Sequence, residues 1–320
     1  MTRYLLTGGS GFVGQWLAKA LIARGDSVDL SGLGPSIDGP SILSADERRQ
    51  VRWLTADVRS SDDVDQLVER SQPDVVFHLA GVSFPPDAER SPATAYDVNA
   101  LGAVRLLGAI RRRRAAGVGD PVTVIVGSGV QYGRHAASEM PLTESAEQRP
   151  LSIYGASKAA QEVASLQFWR DAGLRVICTR SFNHSGLGHG GQYLLPSLVA
   201  RVKRLREQGE HRLTLGNDVV RDYLHIADVV SGYLLLAERG MPGETYNVAS
   251  GCGISVAALA NEILLRAGVT ADISTDPSLV RATDIPVLVG SPAKLIEHTG
   301  WAPTKSHADI IDDLLNAATE

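Results

Sequence analysis

The chain has 320 residues, of which 44% are hydrophobic and 21% charged, and its formal net charge is −5. These values are typical of a globular enzyme and argue against disorder, a fibrous repeat or a disulfide scaffold. The mildly acidic charge gives no electrostatic footprint for nucleic acid, and no apolar run is long enough to span a bilayer. The two cysteines, Cys178 and Cys252, have neither disulfide-framework nor zinc-site spacing, so no metal is expected.

The N-terminal segment is too short and polar for a signal peptide, so we expect a cytoplasmic protein that binds neither nucleic acid nor membrane. The first half of the chain then alternates short apolar runs with longer helical patterns. Strands are predicted over 4–7, 27–30, 52–55, 75–79 and 122–126, with helices over 12–24, 62–70 and 94–113. This alternation predicts an α/β fold with a doubly wound, Rossmann-type parallel sheet.

The second half of the chain predicts a smaller lobe interleaved with that sheet. A helix begins near Tyr154 and ends before Gly173, and a strand over 175–179 follows. Later elements are predicted as a glycine-rich loop over 186–191, helices over 194–206 and 227–238, and strands over 212–215 and 244–249. We therefore expect an NAD(P)-binding domain at 1–181 plus 222–250, and a substrate-binding lobe at 182–221 plus 251–320.

A glycine-rich turn follows the first predicted strand and opens the first helix. It reads Thr7-Gly8-Gly9-Ser10-Gly11-Phe12-Val13-Gly14, with glycines three residues apart at 8, 11 and 14. Glycine allows a tight turn and a close backbone approach to a pyrophosphate, while a helix N-terminus offers unpaired N–H groups. The turn predicts a dinucleotide site formed by Gly8, Gly11, Phe12, Val13 and Gly14.

The end of the second strand leaves the choice of dinucleotide open. An acidic residue there would accept the adenosine ribose 2′-hydroxyl, but that position is Gly32, and the nearest carboxylate, Asp29, lies inside the strand. We therefore expect either NADP(H) or NAD(H). Further cofactor contacts are predicted after the third and fourth strands, at Asp57, Val58, Leu79, Ala80 and Gly81.

Three side chains in the middle of the chain suit carbonyl chemistry. Tyr154 and Lys158 lie one helical turn apart, so the ammonium can favour the phenolate and hold the nicotinamide ribose. Ser128 ends a β-branched strand, where its hydroxyl can orient a substrate oxygen. A hydrolase nucleophile at Ser128 would require G-x-S-x-G, and that pattern is absent.

Together these features identify the chain as resembling the extended short-chain dehydrogenase/reductase family over essentially its whole length. The residues that carry the resemblance are the glycine turn, Leu79-Ala80-Gly81, Asn99, Ser128, Tyr154 and Lys158. The resemblance implies that Asn99 lies beside the cofactor and that Ser83 and Gln131, together with Ser128 and Tyr154, contact the substrate. It also implies a homodimer that pairs through the helix carrying Tyr154 and the helix over 94–113.

The segment from Arg180 to Gly186 is similar to the R-x-F-N-x-x-G segment of nucleotide-sugar members of this family, in which the asparagine, here Asn183, contacts substrate phosphate. Arg221 and Arg281 match positions that bind the nucleotide diphosphate, and a guanidinium suits bidentate phosphate binding. Local ion pairs with Asp222 and Asp284 are the alternative for these arginines.

The region from 276 to 301 resembles the group that contains GDP-mannose 4,6-dehydratase and GDP-4-keto-6-deoxy-mannose reductase, so a GDP-sugar is the expected substrate. Dehydratases of this kind place carboxylates just after the catalytic hydroxyl residue, whereas this chain has Gly129 and Val130. We therefore expect NAD(P)H-dependent reduction of GDP-4-keto-6-deoxy-D-mannose to GDP-D-rhamnose or its C4 epimer. The alternatives are a nucleotide-sugar 4-epimerase with retained NAD, then a 4,6-dehydratase, and a cofactor-sensing Rossmann protein without catalysis.

Overall fold

The computed structural model describes residues 1–37, 41–276, 279 and 284–317. Its strands, in chain order, are β1 (Arg3–Thr7), β2 (Ser27–Gly32), β3 (Val51–Thr55), β4 (Val75–His78), β5 (Val122–Ser128), β6 (Val176–Ser181), β7 (Asn183–Ser185), β8 (Arg212–Leu215), β9 (Val220–His225), β10 (Thr245–Val248), β11 (Gly253–Ser255), β12 (Asp272–Thr275) and β13 (Val287–Leu288).

Seven of these strands form one parallel sheet in the order β10-β6-β5-β4-β1-β2-β3. The strand order reverses between β1 and β4, and ligands of open α/β sheets bind at such a switch point, outside the carboxyl ends of the strands. The glycine turn follows β1 and Leu79-Ala80-Gly81 follows β4, so both flank this crevice. The predicted doubly wound α/β fold is confirmed.

The helices are α1 (Phe12–Ala23), α2 (Ala45–Gln50), α3 (Ser61–Ser71), α4 (Pro85–Arg90), α5 (Pro92–Tyr96), α6 (Gly102–Ala115), α7 (Ile153–Ala172), α8 (Leu194–Gln208), α9 (Ile226–Arg239), α10 (Val256–Ala267), α11 (Ala293–Thr299) and α12 (His307–Asn316). Apolar residues of α1 and α9 pack on one face of the main sheet, and those of α3, α6 and α7 pack on the other. None of the described helices is long and apolar enough to cross a membrane.

The predicted helix over 94–113 is interrupted near its start. The structure has α5, then a π-helical turn over Asp97–Leu101, and then α6. Gly102 packs closely on the strand-end residue Val58, because a Cβ at Gly102 would lie 3.1 Å from Val58 Cγ2. The π-helical turn holds Asn99, and single π-helical turns often mark functional sites.

The remaining strands build a smaller lobe. Strand β9 pairs with β7, β11 and β13, while β8 pairs with β12. Helices α8, α10 and α12 share one apolar cluster beside these strands. Between β9 and β11 the chain returns to the main sheet through α9 and β10, whereas residues 222–225 belong to the smaller sheet. The domain boundaries themselves stay a prediction.

Candidate active site

The glycine turn brings the backbone of β1 against the loop that follows β4. Gly8 has φ +69°, and a Cβ there would lie 2.7 Å from the backbone nitrogen of Ala80. A Cβ at Gly14 would lie 2.7 Å from the Cα of Gly9. Helix α1 begins at Phe12 without a side-chain cap or an acidic residue in its first turn. Its first N–H groups and positive dipole end therefore suit a pyrophosphate, and the turn fits a dinucleotide.

Gly81, Asn99 and Lys158 meet beside this turn. A Cβ at Gly81 would lie 2.9 Å from Asn99 Oδ1 and 3.4 Å from Lys158 Nζ. Asn99 Oδ1 accepts from the Val82 nitrogen at 2.8 Å, and its Nδ2 donates to Ser157 Oγ at 2.8 Å. The buried amide thus ties the loop after β4 to helix α7.

Asp57, which follows β3, is held as a carboxylate by a neighbouring guanidinium. Arg59 donates from Nε to Asp57 Oδ1 at 3.0 Å and from Nη2 to Oδ2 at 2.6 Å. These hydrogen bonds lower the pKa of Asp57 from its usual range. Val58, the residue between them, packs on Gly102 at the start of α6.

The end of β2 offers no charge to the ribose. Asp29 is buried and accepts from Arg52 Nε at 2.9 Å, so its carboxylate is already paired. At Gly32, a Cβ would lie 2.9 Å from Cη2 of Trp53, whose indole nitrogen donates to the Gly34 carbonyl at 2.8 Å. The indole therefore occupies the space into which a side chain at position 32 would extend.

The predicted catalytic residues Ser128, Tyr154 and Lys158 come together at the carboxyl end of β5. Ser128 is the last residue of β5, and its side chain lies close enough to the Tyr154 phenol, in the first turn of α7, to lower the pKa of that phenol. Lys158 Nζ donates to the Val126 carbonyl at 2.8 Å and to Gln161 Oε1 at 2.8 Å. Among the described residues, no group of three His, Cys, Asp or Glu side chains is arranged to hold a metal ion.

Burial sets the protonation of this trio. It raises the pKa of Tyr154 to about 12, while the Ser128 hydrogen bond acts in the opposite direction. Burial also lowers the pKa of Lys158 to about 7. At neutral pH the phenol therefore keeps its proton, and a nearby cation would lower its pKa towards the working range. The arrangement suits Tyr154 as a proton donor to a substrate oxygen.

The positions after Ser128 carry no acid and lie against apolar side chains. A Cβ at Gly129 would lie 3.1 Å from the ring of Phe182. Val130 packs in an apolar cluster that also contains Tyr132, Leu142 and Phe182. A carboxylate at either position would have to displace this apolar packing.

Among the predicted substrate contacts that lie in the described part of the chain, Gln131 is placed away from the expected site. Its side chain is completely buried, its Oε1 accepts from the Ser128 nitrogen at 2.7 Å, and its Nε2 donates to Glu162 Oε2 at 2.9 Å. Both ends of the amide are thus engaged inside the protein. The side chain supports the turn after Ser128 and does not face a substrate, which corrects the expectation from resemblance.

Asn183 and Arg221 lie on the paired strands β7 and β9. Asn183 is opposite Tyr223 in the register, and its side chain acts to lower the pKa of the Tyr223 hydroxyl, which burial raises to about 12. Arg221 Nη1 donates to the carbonyls of Val220 and Ile285 at 2.8 and 2.6 Å, and burial lowers its pKa. Both of these acceptors are neutral carbonyls, and among the described carboxylates Asp284 acts on the guanidinium.

The alternative ion pair of Arg221 with Asp222 does not form. Asp222 instead accepts from the Ser250 nitrogen at 2.8 Å, from Ser250 Oγ at 2.7 Å and from the Gly251 nitrogen at 3.0 Å. Asp284 acts on Arg221 from a greater distance and raises its pKa. Arg281, the other predicted diphosphate ligand, lies outside the described residues.

Ser83 is joined by an aromatic residue that sequence reasoning missed. Ser83 Oγ lies 3.1 Å from the hydroxyl of Tyr193. The Tyr193 ring stacks on His189 with centroids 4.4 Å apart, and His189 stacks on Phe12 at 4.6 Å. Tyr193 also raises the pKa of Tyr154, which places it near the phenol. No spacing signal links a loop aromatic to a serine 110 positions earlier.

Comparison with known proteins adds the family. The family described as GDP-mannose 4,6 dehydratase matches residues 5–314. A GDP-6-deoxy-D-mannose reductase from Pseudomonas aeruginosa is 35% identical over 72% of this chain and 75% of its own. A GDP-6-deoxy-D-talose 4-dehydrogenase from Aggregatibacter actinomycetemcomitans is 29% identical over 93% and 91%.

Solved structures agree with these relatives. RMD from Pseudomonas aeruginosa, complexed with NADPH, superposes with a TM-score of 0.82 at 31% identity over 98% of both chains. Other structures of this fold are complexed with NAD. The expectation of NADP(H) or NAD(H) as cofactor is thus confirmed. The predicted resemblance is confirmed as well: the chain belongs to the GDP-mannose 4,6-dehydratase family of extended short-chain dehydrogenases/reductases, and it is an NAD(P)-dependent nucleotide-sugar oxidoreductase.

Proposed function

We propose that this protein reduces the 4-keto group of GDP-4-keto-6-deoxy-D-mannose with NADPH or NADH and forms GDP-D-rhamnose or its C4 epimer. The observation that carries the proposal is the apolar wall after Ser128, where Gly129 faces the Phe182 ring at a hypothetical Cβ distance of 3.1 Å. Dehydration across C5 and C6 needs an acid and a base, and these positions supply neither. The names of the two GDP-sugar relatives support the same reading.

The dinucleotide would be held by the glycine turn and the strand ends described above. In this proposal the contacts come from Gly8, Gly11, Phe12, Val13, Gly14, Asp57, Val58, Leu79, Ala80, Gly81, Asn99, Tyr154 and Lys158. When bound, the cofactor supplies the hydride that reduces C4. The chain's own contribution is to hold the reactants close together and to exclude water from the crevice.

Tyr154 donates its proton to the C4 oxygen as that oxygen gains negative charge. Burial keeps the phenol protonated at neutral pH, since it raises the pKa of Tyr154 to about 12. Ser128 hydrogen-bonds the same oxygen, because its side chain already meets the phenol. Lys158, fixed by the Val126 carbonyl, brings an ammonium near the phenol and the ribose.

The substrate diphosphate would bind to the smaller lobe. Arg221 donates from Nη1 to two neutral carbonyls, so an anionic ligand would supply a negative charge to its guanidinium. Asn183 on the neighbouring strand adds a polar group, and Ser83 with Tyr193 borders the sugar side. Arg281 is proposed as a second diphosphate ligand on the resemblance alone.

The assay that tests this proposal supplies GDP-4-keto-6-deoxy-D-mannose with NADPH or NADH and follows loss of the reduced cofactor's absorbance. We expect turnover with at least one cofactor and a GDP-6-deoxyhexose as product. Well-folded protein that shows no turnover with either cofactor would contradict the proposal.

A 4-epimerase is the nearest alternative, because it needs the same three catalytic side chains. An epimerase would retain NAD tightly and show no net oxidation of added cofactor, so analysis of the nucleotide that copurifies with the protein distinguishes the two. A 4,6-dehydratase would consume GDP-mannose. A cofactor-sensing protein without catalysis would turn over none of these substrates while still binding the dinucleotide.

We also propose a cytoplasmic homodimer that pairs through α6 and α7. Large apolar side chains are exposed at both elements: Val163 of α7 is 64% exposed, and Leu101, directly before α6, is 47% exposed. A face of this kind suits a partner helix from a second copy. Light scattering should give twice the chain mass, and a monomer would contradict this part of the proposal.

A further inference from the structure

Helix α7 carries a glutamate, Glu162, on the same side as Tyr154 and Lys158. The three residues Tyr154, Lys158 and Glu162 follow one another at four-residue spacing, so they lie on one side of the helix. The Glu162 side chain is 6% exposed, as deep as the lysine. The proposed reaction assigns no role to this carboxylate. Burying a charged group is costly unless it is paired and hydrogen-bonded, so its partners matter.

The Glu162 carboxylate is fully bound by charged and amide donors. Arg180 of β6 donates from Nε to Oε2 at 2.9 Å and from Nη2 to Oε1 at 2.6 Å. Gln148 Nε2 donates to Oε1 at 2.8 Å, and Gln131 Nε2 donates to Oε2 at 2.9 Å. A bidentate pair with further hydrogen bonds is the arrangement that a buried carboxylate requires.

Gln131 connects this carboxylate to the other half of the catalytic trio. Its Oε1 accepts from the backbone nitrogen of Ser128 at 2.7 Å. The glycine at 127 leaves space for that amide, because a Cβ at Gly127 would collide with Gln131 Oε1. Hydrogen bonds therefore run from Arg180 through Glu162 and Gln131 to Ser128.

The two halves of the trio come from different elements. Ser128 belongs to β5, whereas Tyr154 and Lys158 belong to α7, and Glu162 belongs to the same helix. A hydrogen bond from Glu162 through Gln131 to Ser128 is therefore a cross-link between the element that carries the serine and the helix that carries the phenol. Such a link acts on the position of the Ser128 hydroxyl, at the end of β5, relative to the Tyr154 phenol in the first turn of α7.

We propose that Gln131 is a positioning residue that holds Ser128 against Tyr154 by bridging the Ser128 backbone to the Glu162–Arg180 pair. The inference rests on the proposed function in one respect, since it takes Ser128 and Tyr154 as the groups that contact the C4 oxygen. The bridge needs an acceptor at one end and a donor at the other. An amide supplies both at every pH, and no apolar side chain supplies either.

The first test compares Gln131→Leu with the matched control Gln148→Leu. Both changes remove a hydrogen bond from Glu162, and Gln148→Leu also removes the longer bond, at 3.3 Å, from Gln131 Nε2 to Gln148 Oε1; only Gln131→Leu removes the acceptor of the Ser128 nitrogen. We expect kcat of Gln131→Leu to fall about 10²-fold, as for a misplaced catalytic group, while its KM for the cofactor stays within about twofold. Gln148→Leu should keep kcat within about threefold.

Amide hydrogen exchange gives a readout that does not depend on the substrate. The Ser128 amide should exchange faster in Gln131→Leu than in wild type, and it should stay protected in Gln148→Leu. If the Ser128 amide remains protected in Gln131→Leu, or if the two variants lose kcat equally, the proposal that Gln131 positions Ser128 is contradicted. An inactive wild-type enzyme with the exchange pattern expected here would instead contradict the proposed function alone.

The second test uses Gln131→Glu, which also serves if the leucine variant fails to fold. A carboxylic acid can replace the amide only when protonated, because its O–H then donates to Glu162 while its carbonyl oxygen accepts from Ser128. The charged and titratable groups around this position are Glu162, Arg180, Cys178, Glu144 and Tyr132.

We expect kcat of Gln131→Glu to approach the wild-type value at acidic pH and to fall relative to wild type as pH rises and the shared proton is lost. The kcat ratio of variant to wild type is measured at several pH values under saturating substrate and cofactor. A ratio that does not change with pH would overturn the proposal, since a side chain that only fills space has no reason to require that proton.

Discussion

The two sides of the crevice are built in different ways. On the dinucleotide side, backbone approaches backbone: Gly8 and Ala80 are so close that a single methyl group would lie 2.7 Å from a peptide nitrogen. On the substrate side, the groups are long side chains such as Arg221, which is anchored to the carbonyls of Val220 and Ile285. A ligand site made of backbone tolerates no added atoms, whereas one made of side chains loses only the charge or hydrogen bond that is removed. The difference predicts distinct mutational signatures.

The largest effect is expected at the catalytic trio of Ser128, Tyr154 and Lys158, which lies between the dinucleotide side and the substrate side of the crevice. Tyr154→Phe removes the proposed proton donor but keeps the ring, so reduction should fall by about 10²- to 10⁴-fold. GDP binding should persist, and dinucleotide binding should weaken only slightly, because Tyr154 supplies one of many proposed dinucleotide contacts and keeps its ring. Steady-state kinetics and calorimetric titration of each ligand check this. Activity within tenfold of wild type would contradict the role assigned to Tyr154.

On the backbone side, Gly8→Ala should destroy dinucleotide binding by at least about 10²-fold and destabilise the fold by about 1–3 kcal/mol. Gly25→Ala is the matched control, since Gly25 also has a positive φ, of +76°, but open space around its Cβ position. The control should lose some stability and keep the cofactor. Fluorescence titration with NADPH measures the affinity of both variants. Equal losses of affinity would contradict the claim that the close approach at Gly8 is needed for dinucleotide binding.

On the side-chain side, Arg221→Met should weaken binding of GDP by about 10- to 10²-fold, the value of one charge-assisted contact, and leave NADPH binding unchanged. Arg266→Met serves as the control because this arginine of the same lobe is paired with Glu262 and Asp312. Isothermal titration with GDP measures both. Unchanged GDP affinity in Arg221→Met would remove this residue from the diphosphate site.

The buried ammonium gives a pH signature of the cofactor-free protein. The pKa of Lys158 is about 7 in the folded chain and about 10.4 in a model peptide, so the unfolded state binds more protons between these values. The free energy of unfolding should therefore rise from pH 7 to pH 9, by about 2 kcal/mol relative to Lys158→Met. Urea denaturation of both proteins at the two pH values measures it. Parallel changes in the two proteins would contradict a depressed lysine pKa.

The smallest effect is expected at Asp29, the carboxylate nearest to the ribose position in sequence. Its oxygens bind Arg52, so Asp29→Asn should leave the ratio of the KM values for NADH and NADPH within about twofold. Stability should fall by about 1 kcal/mol or less, because the Arg52 side chain is half exposed. A large change in cofactor preference would show that Asp29 faces the dinucleotide after all.

The sequence predicted what depends on local geometry. The glycine spacing, the Tyr154–Lys158 turn and the strand–helix alternation are short-range patterns, and the fold follows them closely. The contacts of Tyr193 with Ser83 and of the Trp53 indole with Gly32 could not be predicted from the sequence, because each forms between segments that lie far apart in the chain. The expected substrate contact of Gln131 failed for the same reason. The sequence shows that Gln131 is close to Ser128 in the chain, but only the fold shows that its amide turns inward to Glu162.

The central claim is that the site reduces a 4-keto GDP-sugar and does not dehydrate a GDP-hexose. The most direct measurement incubates the protein in parallel with GDP-mannose and with GDP-4-keto-6-deoxy-D-mannose, each with NADPH or NADH, and identifies the products by mass and NMR. The account predicts a GDP-6-deoxyhexose from the keto sugar, with one reduced cofactor consumed per product, and no change in GDP-mannose. Conversion of GDP-mannose to its 4-keto-6-deoxy derivative by this chain would contradict it.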